Sequence, residues 1–189
     1  MGDVRSDPTD PYRDALYSAE DAALPDGGRR FTRFSAIENF VEEVIRDPWW
    51  EATFPDAAVD VDVRRRSRGA TFSAAHVAED GQEAVLFIRD GSWTMAVVIH
   101  ELAHVAASRQ FDDRLAVNQG IGSDPGGTQG AGPRGSVTPG SRGYRGSHGP
   151  DFATALLTLW RRYLGVHAYG ALRSAFDERE VPYLRALRG

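Results

Sequence analysis

The segment VVIHELAHVA, residues 97–106, constrains the fold more than any other part of this sequence. Its apolar residues recur at helical spacing and predict a helix over about residues 93–109, called the motif helix below. Because a helix turns once per ~3.6 residues, His100 and His104 point the same way, one turn apart, with Glu101 beside the first. Burying these three groups without partners costs several kcal/mol, so the fold must supply partners for them.

A divalent metal ion is the partner that this spacing favours. Two imidazoles one helical turn apart can bind one Zn²⁺ at ~2.0–2.1 Å each, which makes His100 and His104 candidate ligands. Glu101 can then act as the general base. It would take a proton from a metal-bound water, whose pKa falls from about 15.7 toward ~7, and pass it to a leaving group. The alternative interpretation is a core helix whose polar groups satisfy one another.

A catalytic zinc site needs three protein ligands and one open position. The chain has no cysteine, so the third ligand must be a histidine or a carboxylate. His148 is favoured, because it directly precedes the Gly-Pro pair that opens a predicted helix and is anchored by that rigid element. Asp112 and Asp113, near the predicted end of the motif helix, are the fallback ligands. The remaining histidines are His76, on a predicted strand, and His167, a predicted C-terminal helix cap.

The hydrophobic pattern along the chain predicts an α+β fold. Ser35 followed by Glu38 predicts the N-terminal cap of the second helix, and Ser92 is the candidate cap of the motif helix. The last predicted strand is apolar enough to be buried on both faces. The predicted helices cover residues 11–24, 36–47, 93–109, 151–165 and 168–178, and the predicted strands cover 58–66, 70–78 and 83–90.

The domain organisation follows from composition. Residues 1–28 form a polar N-terminal segment with one short helix, and residues 29–189 form a single domain. That domain is interrupted at 118–150 by a stretch that holds 11 of the chain's 20 glycines and 4 of its 10 prolines. This stretch cannot bury enough apolar surface to offset its chain entropy, so it is predicted to be a flexible loop. Within it, Tyr144 and Arg145 are either oxyanion donors or solvated loop residues.

Charge and hydropathy exclude several classes of partner. The formal net charge is −5, and the dense basic run formed by Arg64–Arg66 and Arg68 is typical of a solvated strand end, so nucleic acid is not an expected partner. No segment approaches the ~18 apolar residues of a membrane span. The N-terminus has no apolar run of the kind found in secretory signals, so the expected location is cytoplasmic. The oligomeric state is left open.

The combination of HELAH with the later HGPDF resembles the SprT-like zincin metalloproteases, in which a histidine opening the following helix completes an HExxH site. Over about residues 30–180 the layout is also similar to a group of small actinobacterial proteins described only as metallohydrolases. The resemblance implies His100, His104 and His148 as the zinc ligands and Glu101 as the base. It also implies a minimal zincin-like domain, with about three strands packed on the HExxH helix and further helices.

Two departures from the family pattern are visible. The segment between the motif and His148 is longer than the pattern needs, and the cysteine zinc ribbon that SprT-like proteins often add is absent. The missing ribbon weakens the transfer of any DNA-linked role.

The expected function is that of a zinc-dependent metallohydrolase, with peptidase as the first choice. In zincins an edge strand beside the HExxH helix holds an extended peptide by strand addition, so 83–90 or 70–78 is the expected edge. The expected partner is accordingly a peptide or protein substrate. Two alternatives stay open: a metal-stabilised binding module without catalysis, and a SprT-like DNA-associated protease.

Overall fold

The computed structural model describes residues 10–118 and 148–184, with side chains described except at residues 108–118. This part of the chain is mixed α+β, as predicted. Most of the predicted loop 118–150, including Tyr144 and Arg145, lies outside the described residues. The elements are α1 (Arg13–Ala23), α2 (Phe34–Arg46), α3 (Pro48–Thr53), β1 (Asp60–Arg66), β2 (Ala74–Val77), β3 (Glu83–Arg89), α4 (Met95–Asn118), α5 (Pro150–Tyr163) and α6 (Gly165–Glu178).

The three strands form one sheet in the order β1-β3-β2. β1 runs parallel to β3 with Val63 opposite Leu86, and β2 runs antiparallel to β3 with Ala75 opposite Leu86. β3 is therefore the central strand, and the expectation that 83–90 is an edge strand is wrong. Within the described residues the edges are β1 and β2, so the 70–78 run supplies the edge strand nearer to the motif helix.

β3 also differs from its prediction in how it is buried. Ala84, Leu86 and Ile88 are fully buried, whereas the side chains that alternate with them are only half-buried. One face of the sheet thus packs on the core, while the other face is partly open to solvent. The prediction of burial on both faces is wrong, because only one set of alternating side chains of β3 packs into the core.

Two helix starts differ from the predicted caps. α2 begins at Phe34, with Arg33 in the cap position and no side-chain cap, so Ser35 lies inside the helix. The ring of Phe34 packs against Trp93 at 5.9 Å, a tertiary contact that a local cap signal does not contain. At α4 the capping oxygen is Oγ1 of Thr94, which accepts from the amide of Val97 at 3.4 Å. Ser92 instead accepts from the Arg89 guanidinium.

The motif helix, α4, occupies the centre of the molecule. It packs against α5 on one side and against β2 and β3 on the other, and residues 98–107 are all buried. α1 packs on α6, and α2 packs on β1. Although α4 is 24 residues long, none of the helices in the described ranges has the length and apolar character to cross a bilayer. The side chains of His100, Glu101 and His104 are buried, so their partners must come largely from neighbouring elements.

Candidate metal centre

Three histidines converge at the centre of the fold. His100 and His104 lie on adjacent turns of α4, and His148 directly precedes Gly149, the N-cap residue of α5. One potential ligand nitrogen from each ring lies within 4.8 Å of the others, and the Nε2 atoms of His100 and His148 are 3.3 Å apart. Two nitrogens bound tetrahedrally to one zinc at ~2.05 Å are separated by about 3.3 Å. The three side chains thus lie close enough to bind one metal ion.

The three rings are held against a common aromatic wall. The ring of Phe152, on the first turn of α5, lies 5.0 Å from His100, 4.3 Å from His104 and 4.8 Å from His148 between centroids. Each histidine is at most 6% exposed, and Phe152 is 1% exposed. This packing restricts rotation of the rings and holds the three of them in one arrangement.

Two carboxylates contact the outer nitrogens of the histidines. Nδ1 of His100 lies 2.8 Å from Oε2 of Glu20, and Nδ1 of His148 lies 2.5 Å from Oδ2 of Asp10. The backbone amide of His148 also donates to the other oxygen of Asp10 at 3.3 Å. An imidazole that donates its Nδ1–H to a carboxylate leaves Nε2 with a lone pair, the form in which histidine binds a metal.

The electrostatics of the triad divide the histidines into two kinds. Burial opposes protonation of His100, but the carboxylate of Glu20 outweighs it and raises the pKa of His100. Burial and the neighbouring His100 lower the pKa of both His104 and His148. The lowered pKa keeps His104 and His148 neutral near pH 7, the state in which a histidine can bind a metal.

Glu101 lies beside this triad and is 5% exposed. Burial raises the pKa of its carboxyl to about 7; His100 opposes that rise, and Glu20 adds to it. A carboxyl that titrates near neutrality can both accept and return a proton there, which suits a general base.

Tyr17 of α1 completes the side of the site that faces solvent. Its ring stacks on His100 at 5.0 Å with 13° between the planes, and it meets His148 edge-on at 5.4 Å. Burial and the negative charge of Glu101 raise its pKa well above the usual tyrosine range, so the phenol stays protonated. Tyr17 is 42% exposed, so a bound molecule can reach it.

The histidines form part of the lining of a cleft with a volume of about 1170 Å³. One wall comes from α1, including Tyr17 and Glu20, and the opposite wall comes from residues 71–75, which lead into and begin β2. His100, Glu101, His104 and His148 all line the cleft. Small-molecule pockets usually measure about 300–1,000 Å³, so this cleft is large enough for a segment of polymer.

The other two histidines in the described residues lie outside the cluster. His76 is exposed on β2, and His167 is exposed in the first turn of α6. The predicted C-terminal cap at His167 is wrong, because α6 begins at Gly165, directly after the C-cap residue of α5. Asp112 and Asp113 belong to the backbone of α4, which runs beyond the predicted end to Asn118; their side chains are outside the described set.

Sequence reasoning missed four residues that surround the triad. Asp10, Tyr17, Glu20 and Phe152 are not among the candidate site residues predicted from the sequence. One weak signal existed: residues 10, 13, 17 and 20 are polar at helical spacing, next to the buried Leu16 and Ala19. Such a stripe is usually a solvated face, so spacing alone could not assign it to a site.

Comparison of the chain with models of known protein families, with curated proteins and with solved structures found no match.

Proposed function

We propose that this protein is a zinc-dependent hydrolase that cleaves peptide bonds, built on a zincin-like arrangement of the HExxH helix. The observation that carries the proposal is the convergence of three buried imidazoles, with Glu101 beside them, in the lining of a large cleft. The resemblance of HELAH and HGPDF to SprT-like zincins agrees with this function but rests on those two motifs alone.

The donor set favours zinc. Three neutral imidazoles that leave one position open are a common catalytic zinc arrangement, and the 3.3 Å spacing of two Nε2 atoms fits tetrahedral geometry. A zinc ion held by His100, His104 and His148 would supply Lewis acidity and lower the pKa of a bound water. The chain's own part is to fix the three nitrogens in place through the packing of the rings on Phe152.

Two further side chains handle protons and charge in the proposed reaction. Glu101 accepts the proton of the attacking water and returns it to the departing amine of the cleaved bond. The phenol of Tyr17 faces the same cleft and is protonated, so it can donate to the carbonyl oxygen as negative charge develops there.

The outer edge of β2, which pairs with no strand in residues 10–118 and 148–184, supports a peptide as substrate. Ala78 donates to the carbonyl of Glu83 at 2.8 Å, which fixes the alternation of the antiparallel ladder. By that alternation, the backbone groups of Ala75 and Val77 point away from β3. Ala75 also lines the cleft that contains the histidines. An extended peptide could therefore add to this edge and lie across the metal centre.

A nucleic-acid partner is less well supported, because much of the basic run is already engaged within the protein. Arg64 pairs with Asp62 at 2.7 Å, and Arg65 pairs with Asp90 at 2.5 Å. The Arg66 guanidinium lies over the ring of Phe72. These contacts offset two of the positive charges that a phosphate backbone would need.

The function is tested by metal analysis and by peptide cleavage in parallel. Wild type and Glu101→Gln should each bind one zinc, but only wild type should cleave a library of unstructured peptides. His104→Ala should lose both properties. Cleavage by Glu101→Gln at the wild-type rate would overturn the proposed mechanism. Zinc binding without cleavage by wild type would favour the metal-stabilised binding module.

A further inference from the structure

We propose that Asp10 and Glu20 are positioning residues of the metal centre, so that tight metal binding requires the N-terminal segment 10–23. The inference rests on the proposed metal site but not on catalysis. Residues 1–28 carry no recognisable metal motif, yet two of their carboxylates contact the outer nitrogens of two of the three histidines.

The contacts are specific in geometry. Both carboxylate oxygens of Asp10 contact His148. One accepts from the backbone amide of His148 at 3.3 Å, and the other lies 2.5 Å from its Nδ1. Glu20 contacts Nδ1 of His100 at 2.8 Å from the opposite side of the site. The side chains of the two acids are only 11% and 12% exposed. Each carboxylate therefore fixes both the orientation and the tautomer of one imidazole, with Nε2 directed inward.

Charge gives a second reason for acids at these positions. Three neutral imidazoles bring no negative charge to a divalent cation, so the ion's charge would be poorly compensated in this buried site. A carboxylate hydrogen-bonded to the far side of each ring makes the ring a better donor and offsets part of the positive charge. His100 and His148 come from different elements, so each requires its own orienting group.

The arrangement links metal binding to the docking of α1. α1 packs on α6, and the acids that orient the histidines lie on α1 or just before it. If docked α1 strengthens metal binding, then bound metal must strengthen the docking of α1 by the same free energy. Zinc should consequently increase the hydrogen-exchange protection of the amides of α1.

The experiment measures zinc affinity by competition with a chromogenic chelator, without any substrate. Glu20→Gln and Asp10→Asn should weaken zinc binding by about 10- to 100-fold each. Asp14→Asn alters an exposed acid of the same helix that is not part of the cleft lining, and it should bind zinc like wild type. Glu20→Asp and Asp10→Glu keep the charge and should recover part of the affinity.

A purely structural role for these acids predicts a different result. It would lower the melting temperature of the metal-free protein while leaving the zinc affinity of the folded fraction unchanged, and that outcome would overturn the proposal. Cobalt substitution gives a second readout, since the visible absorption of a tetrahedral site should change in Glu20→Gln and not in Asp14→Asn. A chain that binds zinc in this way but cleaves no peptide would overturn the hydrolase function and leave this inference standing.

Discussion

The Nε2 atoms of His100 and His148 lie 3.3 Å apart, although 48 residues separate the two histidines in the chain. The Nδ1 atom of each ring contacts a carboxylate, so in the neutral state both Nε2 atoms carry lone pairs that face each other. Two such lone pairs repel unless a cation lies between them. A proton can bridge only these two nitrogens, whereas a metal ion can also bind His104, which lies within the same 4.8 Å cluster.

Zinc should therefore stabilise the folded protein. Because the site forms only in the native state, zinc at 100 times its dissociation constant should add about 2.7 kcal/mol to the free energy of unfolding. Urea unfolding with zinc and with a chelator measures this difference. His148→Ala should lose the zinc effect, and His76→Ala, which alters an exposed histidine on β2, should keep it. Equal stabilisation of both variants would argue against the triad.

The sequence predicted the fold class and most elements because hydrophobic periodicity is a local signal. The three strand-like runs and the helices around residues 11–24, 36–47 and 151–165 are present with small shifts in their ends. Strand order could not be read in this way, since β1 and β2 both pair with β3 through contacts that leave no local pattern. For that reason residues 83–90 were a candidate edge strand from the sequence, although β3 lies at the centre of the sheet.

The candidate site was likewise predictable only where the signal in the sequence is local. His100, Glu101 and His104 follow from helical geometry, and His148 followed from its place before a predicted helix. Asp10 is 138 residues from His148, so their contact could not be found from spacing. The location of Asp10 and Glu20 at the site depends on the packing of α1 on α6, a tertiary contact that leaves no local pattern in the sequence.

Acid should weaken the contact between Asp90 and Arg65, which ties the end of β1 to the turn before α4. The hydrogen bond from Arg65 lowers the pKa of Asp90 below its usual value of 3.8. A lowered folded-state pKa means that the stabilisation is present above the unfolded value and is lost as pH falls through the folded value. The stability difference between wild type and Asp90→Asn should thus be largest above pH ~5 and shrink toward pH ~3.

These unfolding measurements should be made with chelator present, so that acid release of metal does not contribute. In the Arg65→Gln background, which lacks the partner of Asp90, the change Asp90→Asn should lose most of this pH-dependent effect. A wild-type advantage over Asp90→Asn that grows toward low pH would contradict the sign of this prediction.

Removing the phenol of Tyr17 should affect catalysis rather than metal binding. Tyr17→Phe keeps the ring that stacks on His100 but removes the proposed donor to the carbonyl oxygen. Loss of one such donor typically lowers kcat by about 10²–10³-fold, and zinc affinity should stay unchanged. Tyr12→Phe removes the phenol of another exposed tyrosine near the start of α1 and serves as the control. An unchanged kcat in Tyr17→Phe would show that Tyr17 contributes only packing and donates no hydrogen bond in the reaction.

Strand addition at β2 makes a prediction about one backbone amide. The N–H of Ala75 points away from β3, so Ala75→Pro removes a bond to substrate without breaking the ladder. One hydrogen bond contributes about 0.5–1.5 kcal/mol, so kcat/KM on peptides should fall by about 2- to 13-fold while zinc affinity stays unchanged.

Two further variants serve as controls. Ala75→Val adds similar bulk and keeps the amide, so it should stay close to wild type. His76→Pro removes an N–H that faces β3 and should instead lower stability. Equal losses of kcat/KM in Ala75→Pro and Ala75→Val would show that bulk in the cleft, rather than the amide, controls substrate binding.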